Sequence, residues 1–227
     1  AEPAVEKSKK KTIKEIESNF LSTVNILQKV KKDNSKLIFI SSSRVYPITE
    51  SYKKFKRYKK LGKHFPYKEV SNFNDTKTIY GFTKYCSEHL IKEYNYSENT
   101  KFIINRCGLI SGPGQYGKVE QGLVALWMWR HINKMKVTYL GHGGNGNQVR
   151  DVLFIKDLCK LILIQIKQFK KFENEIFCIG GGTKNAINLK NLTKLCQNIT
   201  RNKIKIMKSL NTSIYDIPYY VTSLNKI

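Results

Sequence analysis

Tyr80 and Lys84, in the run Tyr80-Gly81-Phe82-Thr83-Lys84, form the pair in this chain with the clearest capacity for chemistry. Side chains four residues apart share one helix face, so the ammonium of Lys84 can lie beside the ring of Tyr80. A free phenol titrates near about 10 and is a poor base at neutral pH. A neighbouring cation favours the phenolate, and a tyrosine so tuned can take and return a proton. An ordinary helix surface would show the same pair, so its weight comes from what precedes it. Leu37-Ile38-Phe39-Ile40 is a short apolar run that stops abruptly at Ser41-Ser42-Ser43. That pattern predicts a buried parallel strand ending at a site, because ligands of open α/β sheets gather beyond the carboxyl ends of the strands. A hydroxyl from the serine run can hold a substrate alcohol or carbonyl while Tyr80 moves the proton.

The elements that must position these groups follow from periodicity. Ile13, Ile16, Phe20, Leu21, Val24 and Leu27 recur near a 3.6 period and predict a helix from Thr12 to Lys32. After the serine strand, the basic stretch Ser51 to Lys63 reads as a surface loop, and Tyr85 to Tyr94 as an amphipathic helix. Lys101 to Asn105 is a second apolar strand, leaving through Arg106-Cys107-Gly108-Leu109-Ile110-Ser111-Gly112-Pro113-Gly114, where Gly and Pro let backbone approach a ligand. Gln121 to Asn133 reads as a helix, and Val137 to Leu140, Val149 to Phe154 and Ile176 to Ile179 as strands. Asp157 to Phe169 and Leu189 to Thr200 read as helices, with Asp157 as a cap rather than a substrate contact. Gly180-Gly181-Gly182 reads as a turn, and Tyr215 to Ile227 as a terminal strand and loop. Between Gly112 and Gly122, Gln115, Lys118 and Gln121 offer partners for sugar and phosphate. Gly141 to Gly146 has the spacing Gly-x-Gly-x-x-Gly, but it leads into a strand. A dinucleotide loop needs that motif between strand and helix, so this one is read as a turn.

Composition narrows the class. The 227 residues suffice for one good core and are too few for two independent domains. Lys and Arg number 41 against 17 Asp and Glu, a net charge of +24, but the lysines are spread through every segment. A solvated surface explains them, with attraction for a doubly charged substrate as the functional remainder; no nucleic-acid partner is expected. Cys86, Cys107, Cys159, Cys178 and Cys196 lack Cys-x-x-Cys spacing and read as reduced thiols of a cytoplasmic protein. The four histidines are scattered, so no metal is expected. No apolar stretch reaches the roughly 18 residues of a membrane helix, so no membrane partner is expected either.

Taken in order, Ala1-Glu2-Pro3-Ala4-Val5, Asn19 in its helix, the serine strand, Tyr80 to Lys84 and Gln148-Val149-Arg150-Asp151 resemble the extended short-chain dehydrogenase/reductases, the NAD-dependent nucleotide-sugar epimerase and dehydratase family. The likeness covers nearly the whole chain. It implies an α/β fold: a Rossmann-like doubly wound parallel sheet with a small C-terminal substrate-binding lobe. On that plan residues 1–110 supply the later half of the Rossmann-like part, 111–150 substrate-binding segments, 151–180 the return to the sheet and 181–227 the C-terminal lobe. The resemblance implies Ser42, Tyr80 and Lys84 as the catalytic trio, with Ser41 and Ser43 as neighbouring alternatives for the hydroxyl. It implies NAD as cofactor, held by Ala1, Asn19, Ile40, Ser41, Ser42, Tyr80, Lys84, Cys107, Gly108 and Leu109. Ser43, Arg44, Asn105, Arg106, Gln115, Lys118, Gln121, Gln148 and Arg150 are the implied substrate contacts, with Arg150 on the pyrophosphate or, failing that, paired structurally with Asp151.

The glycine-rich segment from Gly112, Ser43-Arg44-Val45-Tyr46-Pro47 and Gln148 to Leu153 most resemble the branch that contains the CDP-paratose 2-epimerases. The implied reaction is epimerisation of a nucleotide sugar through a transient keto sugar. A 4-epimerase stays open. A 4,6-dehydratase is disfavoured, because Ser43-Arg44 stands where that branch carries an Asp-Glu pair and a guanidinium cannot deliver a proton at neutral pH. The family opens on a Gly-rich turn after its first strand, and nothing before Ser41 supplies one. The chain is therefore expected to be the later part of a larger protein, a homodimer when intact, and inactive and empty of NAD by itself. A non-catalytic nucleotide-sugar-binding fragment is the reading from another class.

Overall fold

The computed structural model describes residues 12–71, 73–118 and 122–227. A helical stretch enters as α1 (Thr12–Glu15), loosens into a π turn over Ile16–Leu21 and continues as α2 (Ser22–Lys32). It lies against a later helix through Leu27, which is fully buried. Strand β1 (Leu37–Ser42) ends in a 3-10 turn, Ser43–Val45.

The stretch expected to be a surface loop is helix α3 (Ile48–Leu61). Its lysines hide a helical spacing: Ile48, Ser51 and Phe55 bury one face while the lysines take the other. Gly62 closes the helix at φ 66°, a left-handed turn that suits glycine. Ser51 exchanges two hydrogen bonds with the backbone of Tyr219, donating at 2.8 Å and accepting at 3.0 Å, which ties α3 to the far end of the chain.

Helix α4 (Ile79–Glu98) begins well before Tyr85, because the Thr78 hydroxyl accepts from the Gly81 N–H at 3.0 Å and caps it. Tyr80 and Lys84 therefore lie in its opening turns. β2 (Phe102–Cys107), β3 (Leu109–Ser111), α5 (Leu123–Ile132), β4 (Val137–Leu140) and β5 (Val149–Phe154) follow. After them come α6 (Ile155–Lys167), α7 (Phe169–Phe172), β6 (Glu175–Ile179), β7 (Ala186–Asn188), α8 (Leu189–Thr200), β8 (Ile206–Ser209) and β9 (Tyr219–Tyr220).

β1, β2 and β6 form a parallel sheet in that order, with Ser42 opposite Cys107. Both faces are covered: Leu27, Ile91, Phe102 and Ile104 pack on one side, and Ile103, Leu158, Phe177 and Ile179 on the other. That is the doubly wound arrangement, and it explains the unbroken apolar runs of β1 and β2. β5 pairs in parallel with β3 and β9 and antiparallel with β7. A smaller lobe is built from the parallel pair β4 and β8 with α5 and α8, around Trp127, Val137, Tyr139, Leu192 and Cys196. Asp157 lies inside the first turn of α6, whose cap position is Phe154. It favours the helix dipole from there and does not cap. No helix among the described residues is long and apolar enough to cross a membrane.

Candidate active site

The end of β1 and the start of α4 meet because Gly81 has no side chain. An ideal Cβ there would stand 2.1 Å from the carbonyl oxygen of Arg44, so backbone lies directly on backbone. Ser42 caps the intervening turn by accepting from the Arg44 N–H at 3.2 Å. Its hydroxyl is also near enough to Tyr80 to favour the phenolate. Tyr80 is 9% exposed, and burial raises its phenol above the ordinary value against the opposing pull of Ser42 and of the Arg44 charge. Lys84 donates to the Ile40 carbonyl at 3.0 Å and lies 4.6 Å over the ring of Phe39. Burial lowers its ammonium, with Cys107 and Glu88 opposing. The sequence expectation that Lys84 depresses Tyr80 is thus corrected: the net direction is upward, and the cation opposing burial is Arg44.

Ser42, Tyr80 and Lys84 are brought to one place, and Ser41 is not. The Ser41 hydroxyl points to the other face of β1 and donates to Glu88 at 2.5 Å. Glu88 also takes two donors of Arg106, Nε at 3.1 Å and Nη2 at 2.7 Å, while Nη1 reaches the Glu69 carbonyl at 2.8 Å. Arg106 is 2% exposed, with its donors spent inside the protein, so the structure moves Ser41 and Arg106 from ligand contacts to core. The same correction holds for Asn105, fully buried in a reciprocal amide pair with Gln165 at 2.7 and 2.9 Å.

Ile40 lies two residues before the end of β1, Cys107 closes β2, and Gly108 joins it to Leu109 at the start of β3. Burial pushes the Cys107 thiol up to about 12, so it packs as a neutral group. The Gly108 N–H donates to the Ile179 carbonyl at 2.8 Å. Asn19 lies in the π turn, 2% exposed, and donates to the Thr83 hydroxyl at 3.4 Å. Its Oδ1 has no hydrogen-bond partner among the described residues. Ala1 and Gln121 lie outside the described residues.

A second cluster joins β5 to the turn after β1. Arg44 donates from Nη1 to the Tyr215 carbonyl at 2.9 Å. Burial and then the neighbouring charge of Arg150 bring its pKa down to about 10. Arg150 donates to the Val149 carbonyl at 2.9 Å and to the Ile217 carbonyl, and lies 3.7 Å from the Asp216 carboxylate. Asp216 also holds His142 Nε2 at 2.9 Å. Asp151 is not the structural mate of Arg150: its carboxylate accepts from the Gly182 and Thr222 N–H groups at 2.9 Å. Gln148 donates to the Leu140 carbonyl at 2.5 Å, and its Oε1 has no partner among the described residues. Gln115 is tied into its own loop by the Ile110 carbonyl and the Ser111 hydroxyl, both at 3.1 Å. Ser43 is half-buried in the turn after β1, and Lys118 is exposed.

Sequence reasoning missed Gly81, His142, Tyr215 and Asp216. A glycine in the opening turn of a helix was a usable signal for the first. Asp216, among Tyr215, Ile217 and Pro218, offered no pattern, since its partner His142 is 74 residues away.

These residues suit the ribose end of a dinucleotide, with a buried amine fixed to a strand end one helical turn from a phenol, and a buried amide oxygen without a partner among the described residues. Gly141–Gly146 runs through a 3-10 turn into β5 and opens no helix, so the described residues offer no pyrophosphate turn of the strand-to-helix kind. Among them no group of His, Cys, Asp and Glu is arranged to hold a metal ion.

Comparison with known proteins adds an independent line. A family model described as the NAD dependent epimerase/dehydratase family matches residues 1–180. The CDP-paratose 2-epimerase of Salmonella typhi is 29% identical over 194 residues, 81% of this chain and 56% of that protein. A putative UDP-glucose 4-epimerase of Methanocaldococcus jannaschii is 28% identical over 172 residues, 75% of this chain and 50% of that protein. The crystal structure of the Thermotoga maritima UDP-glucose 4-epimerase with UDP-glucose matches with a TM-score of 0.81 at 22% identity, over 100% of this chain and 67% of that one. The chain thus spans about half the length of the curated relatives it matches.

Proposed function

Because the chain belongs to the NAD dependent epimerase/dehydratase family, we propose that it is part of a nucleotide-sugar epimerase that inverts a ring carbon by oxidation and re-reduction. The observation that carries this reading is the meeting of Ser42, Tyr80 and Lys84 at the end of β1. NAD, when bound, would supply the hydride acceptor and donor for oxidation and re-reduction of the sugar. The chain's own residues do the rest. Tyr80 accepts the hydroxyl proton as the carbonyl forms and gives it back on reduction. Ser42 holds the same oxygen in line, and Lys84 fixes the ribose with the donors that Ile40 leaves free. Asn19, Cys107, Gly108 and Leu109 wall the cofactor. Ser43, Arg44, Gln148 and Arg150 meet the substrate, with Arg150 on its diphosphate, a role suited to a guanidinium.

Inversion at the second ring carbon of a CDP-activated sugar is the specific reading. The motifs from Gly112 and from Gln148 support it, as does a likeness to the 2-epimerase over more of the chain than to the 4-epimerase. A 4-epimerase is the second reading, favoured by the sequence likeness to the putative UDP-glucose 4-epimerase. Arg44, where a dehydratase needs a proton donor, argues against elimination. The test is Tyr80→Phe in the intact protein. Turnover should fall at least about a hundredfold while nucleotide-sugar affinity holds, and near-normal turnover would remove Tyr80 from the chemistry.

A further inference from the structure

The charge of this chain is spread thinly everywhere except on α3. Residues 53–63, Lys-Lys-Phe-Lys-Arg-Tyr-Lys-Lys-Leu-Gly-Lys, hold seven cations and no Asp or Glu, against a net +24 over all 227 residues. The helix buries Ile48, Ser51 and Phe55. Away from that face, Lys53, Lys56, Arg57 and Lys60 recur three and four residues apart and form one exposed stripe. Among the described residues Lys53, Lys56 and Lys60 make no ion pair; the one carboxylate bridged to α3 from within, Glu50, goes to Lys54 at 3.6 Å. Ser51 ties the helix to Tyr219, so the stripe is held ready without any ordering of chain. One flank of α3 is lined by the segment 65–71, which runs antiparallel to it. Phe65 lies under Arg57 at 4.1 Å, the Pro66 carbonyl accepts from Lys54 at 3.2 Å, and Ser71 donates to Glu50 at 2.5 Å. Two apolar side chains stand out at that flank: Leu61, on the same face as Lys54 and Arg57 and 52% exposed, and Val70, 91% exposed.

We propose that α3 docks this protein on an anionic phospholipid surface, with the Lys53–Lys60 stripe against the headgroups and Leu61 and Val70 entering the interfacial layer. Such a contact lies on the membrane and needs no spanning helix. A stripe of this kind answers any polyanion by charge, so the choice of lipid rests on its surroundings. Binding of single-stranded nucleic acid uses exposed rings on which bases stack. The rings around this stripe are half-buried and engaged: Tyr52 with His142 at 5.5 Å, Tyr58 stacked on His64 at 5.0 Å, and Phe65 under Arg57. The stripe is built mainly of lysine, a point charge that does not select a planar bidentate partner. Leu61 and Val70 gain nothing against a row of phosphates, whereas in a bilayer interface their burial adds to the attraction.

The experiment is co-sedimentation with vesicles of phosphatidylcholine, alone or with about a third phosphatidylserine, beside titration of a short DNA duplex. The protein should bind the phosphatidylserine vesicles, ignore phosphatidylcholine, and come off when salt rises from about 0.1 to about 1 M, which shortens the screening length from about 10 to about 3 Å. The triple change Lys53→Gln, Lys56→Gln, Lys60→Gln should lower vesicle partitioning on the order of a hundredfold, roughly fivefold for each cation at the surface. The control removes the same charge from α6, where Lys156, Lys160 and Lys167 are also exposed; Lys156→Gln, Lys160→Gln, Lys167→Gln should cost less than about tenfold. Leu61→Ser with Val70→Ser should weaken vesicle binding at least about fivefold and leave the duplex titration unchanged. All these side chains are exposed, so each variant should melt with the wild type, which separates lost docking from lost fold. Equal losses in the two triple variants would mean that the whole surface attracts lipid and that α3 is no docking site. Tighter binding to the duplex than to vesicles, or vesicle binding indifferent to Leu61→Ser and Val70→Ser, overturns the lipid assignment. Absence of binding to phosphatidylserine vesicles at the lower salt overturns the proposal outright.

Discussion

Gly81→Ala tests whether the approach of α4 to the turn after β1 is what builds the site. Helix propensity argues that alanine should stabilise the opening of α4 by about 1 kcal/mol. Steric contact argues the reverse, and it is the larger effect. The added Cβ would stand 2.1 Å from the Arg44 carbonyl oxygen and 2.8 Å from its carbon, both backbone atoms that no rotamer change can move. Restoring van der Waals contact pushes α4 off the turn by roughly 1 Å. Overpacking of this kind costs about 1–3 kcal/mol, leaving a net loss of up to about 2 kcal/mol after the propensity gain, or up to roughly 8 °C in melting temperature. The same shift parts Tyr80 from Ser42, and a misplacement of about 1 Å can cost on the order of a hundredfold in rate. Calorimetric melting and turnover of the intact protein are the two readouts. Gly62→Ala is the control. At φ 66° with nothing within 4 Å, it should lose about 1 kcal/mol to backbone strain and keep its turnover. A Gly81→Ala protein that melts at or above wild type with unimpaired turnover would refute the argument.

Asn105→Ala should strip Gln165 of both partners and lower the urea midpoint, by the about 1–3 kcal/mol of an unsatisfied buried amide, while UDP affinity stays as it was. Lost affinity at an unchanged midpoint would return Asn105 to the substrate. Iodoacetamide at pH 8 should alkylate the exposed Cys159 in the folded protein and spare Cys107 and Cys178. Burial pushes both of those thiols up to about 12, so little thiolate forms until the chain unfolds. Early mass labelling of Cys107 would mean that the end of β2 is open to solvent.

The elements legible in the sequence were those whose pattern is local. β4, β5 and α8 lie within the residues that periodicity marks, because each carries a local apolar run or stripe. α3 was not legible as a helix, since charge was weighed above spacing: the lysines between Ile48 and Leu61 drew attention from the buried stripe beneath them. β2 was placed short. Reading Asn105 as the polar end of a strand and Arg106 as its exit made both look available to a ligand. The strand instead runs to Cys107 and buries both, because Gln165, 60 residues away, and Glu88, 18 residues away, satisfy them. A polar residue at a strand end looks the same in sequence whether its partner is a ligand or a distant side chain.

The acid/base pair shows the same limit at the level of electrostatics. The spacing of Tyr80 and Lys84 places both on one face of α4, and they lie there, but a shared face does not fix where a lysine's long stem leads. The Ile40 carbonyl at the end of β1 draws the amine down, 3.0 Å away, leaving the phenol to burial, to Ser42 and to the charge of Arg44. Arg44 is itself oriented by Tyr215, from a segment whose local pattern reads only as a terminal strand and loop. Residue identity in the motif was therefore readable, while the charge balance around the proton-transferring oxygen was not. That balance is set across β1, α4 and the segment before β9, which only the fold brings together.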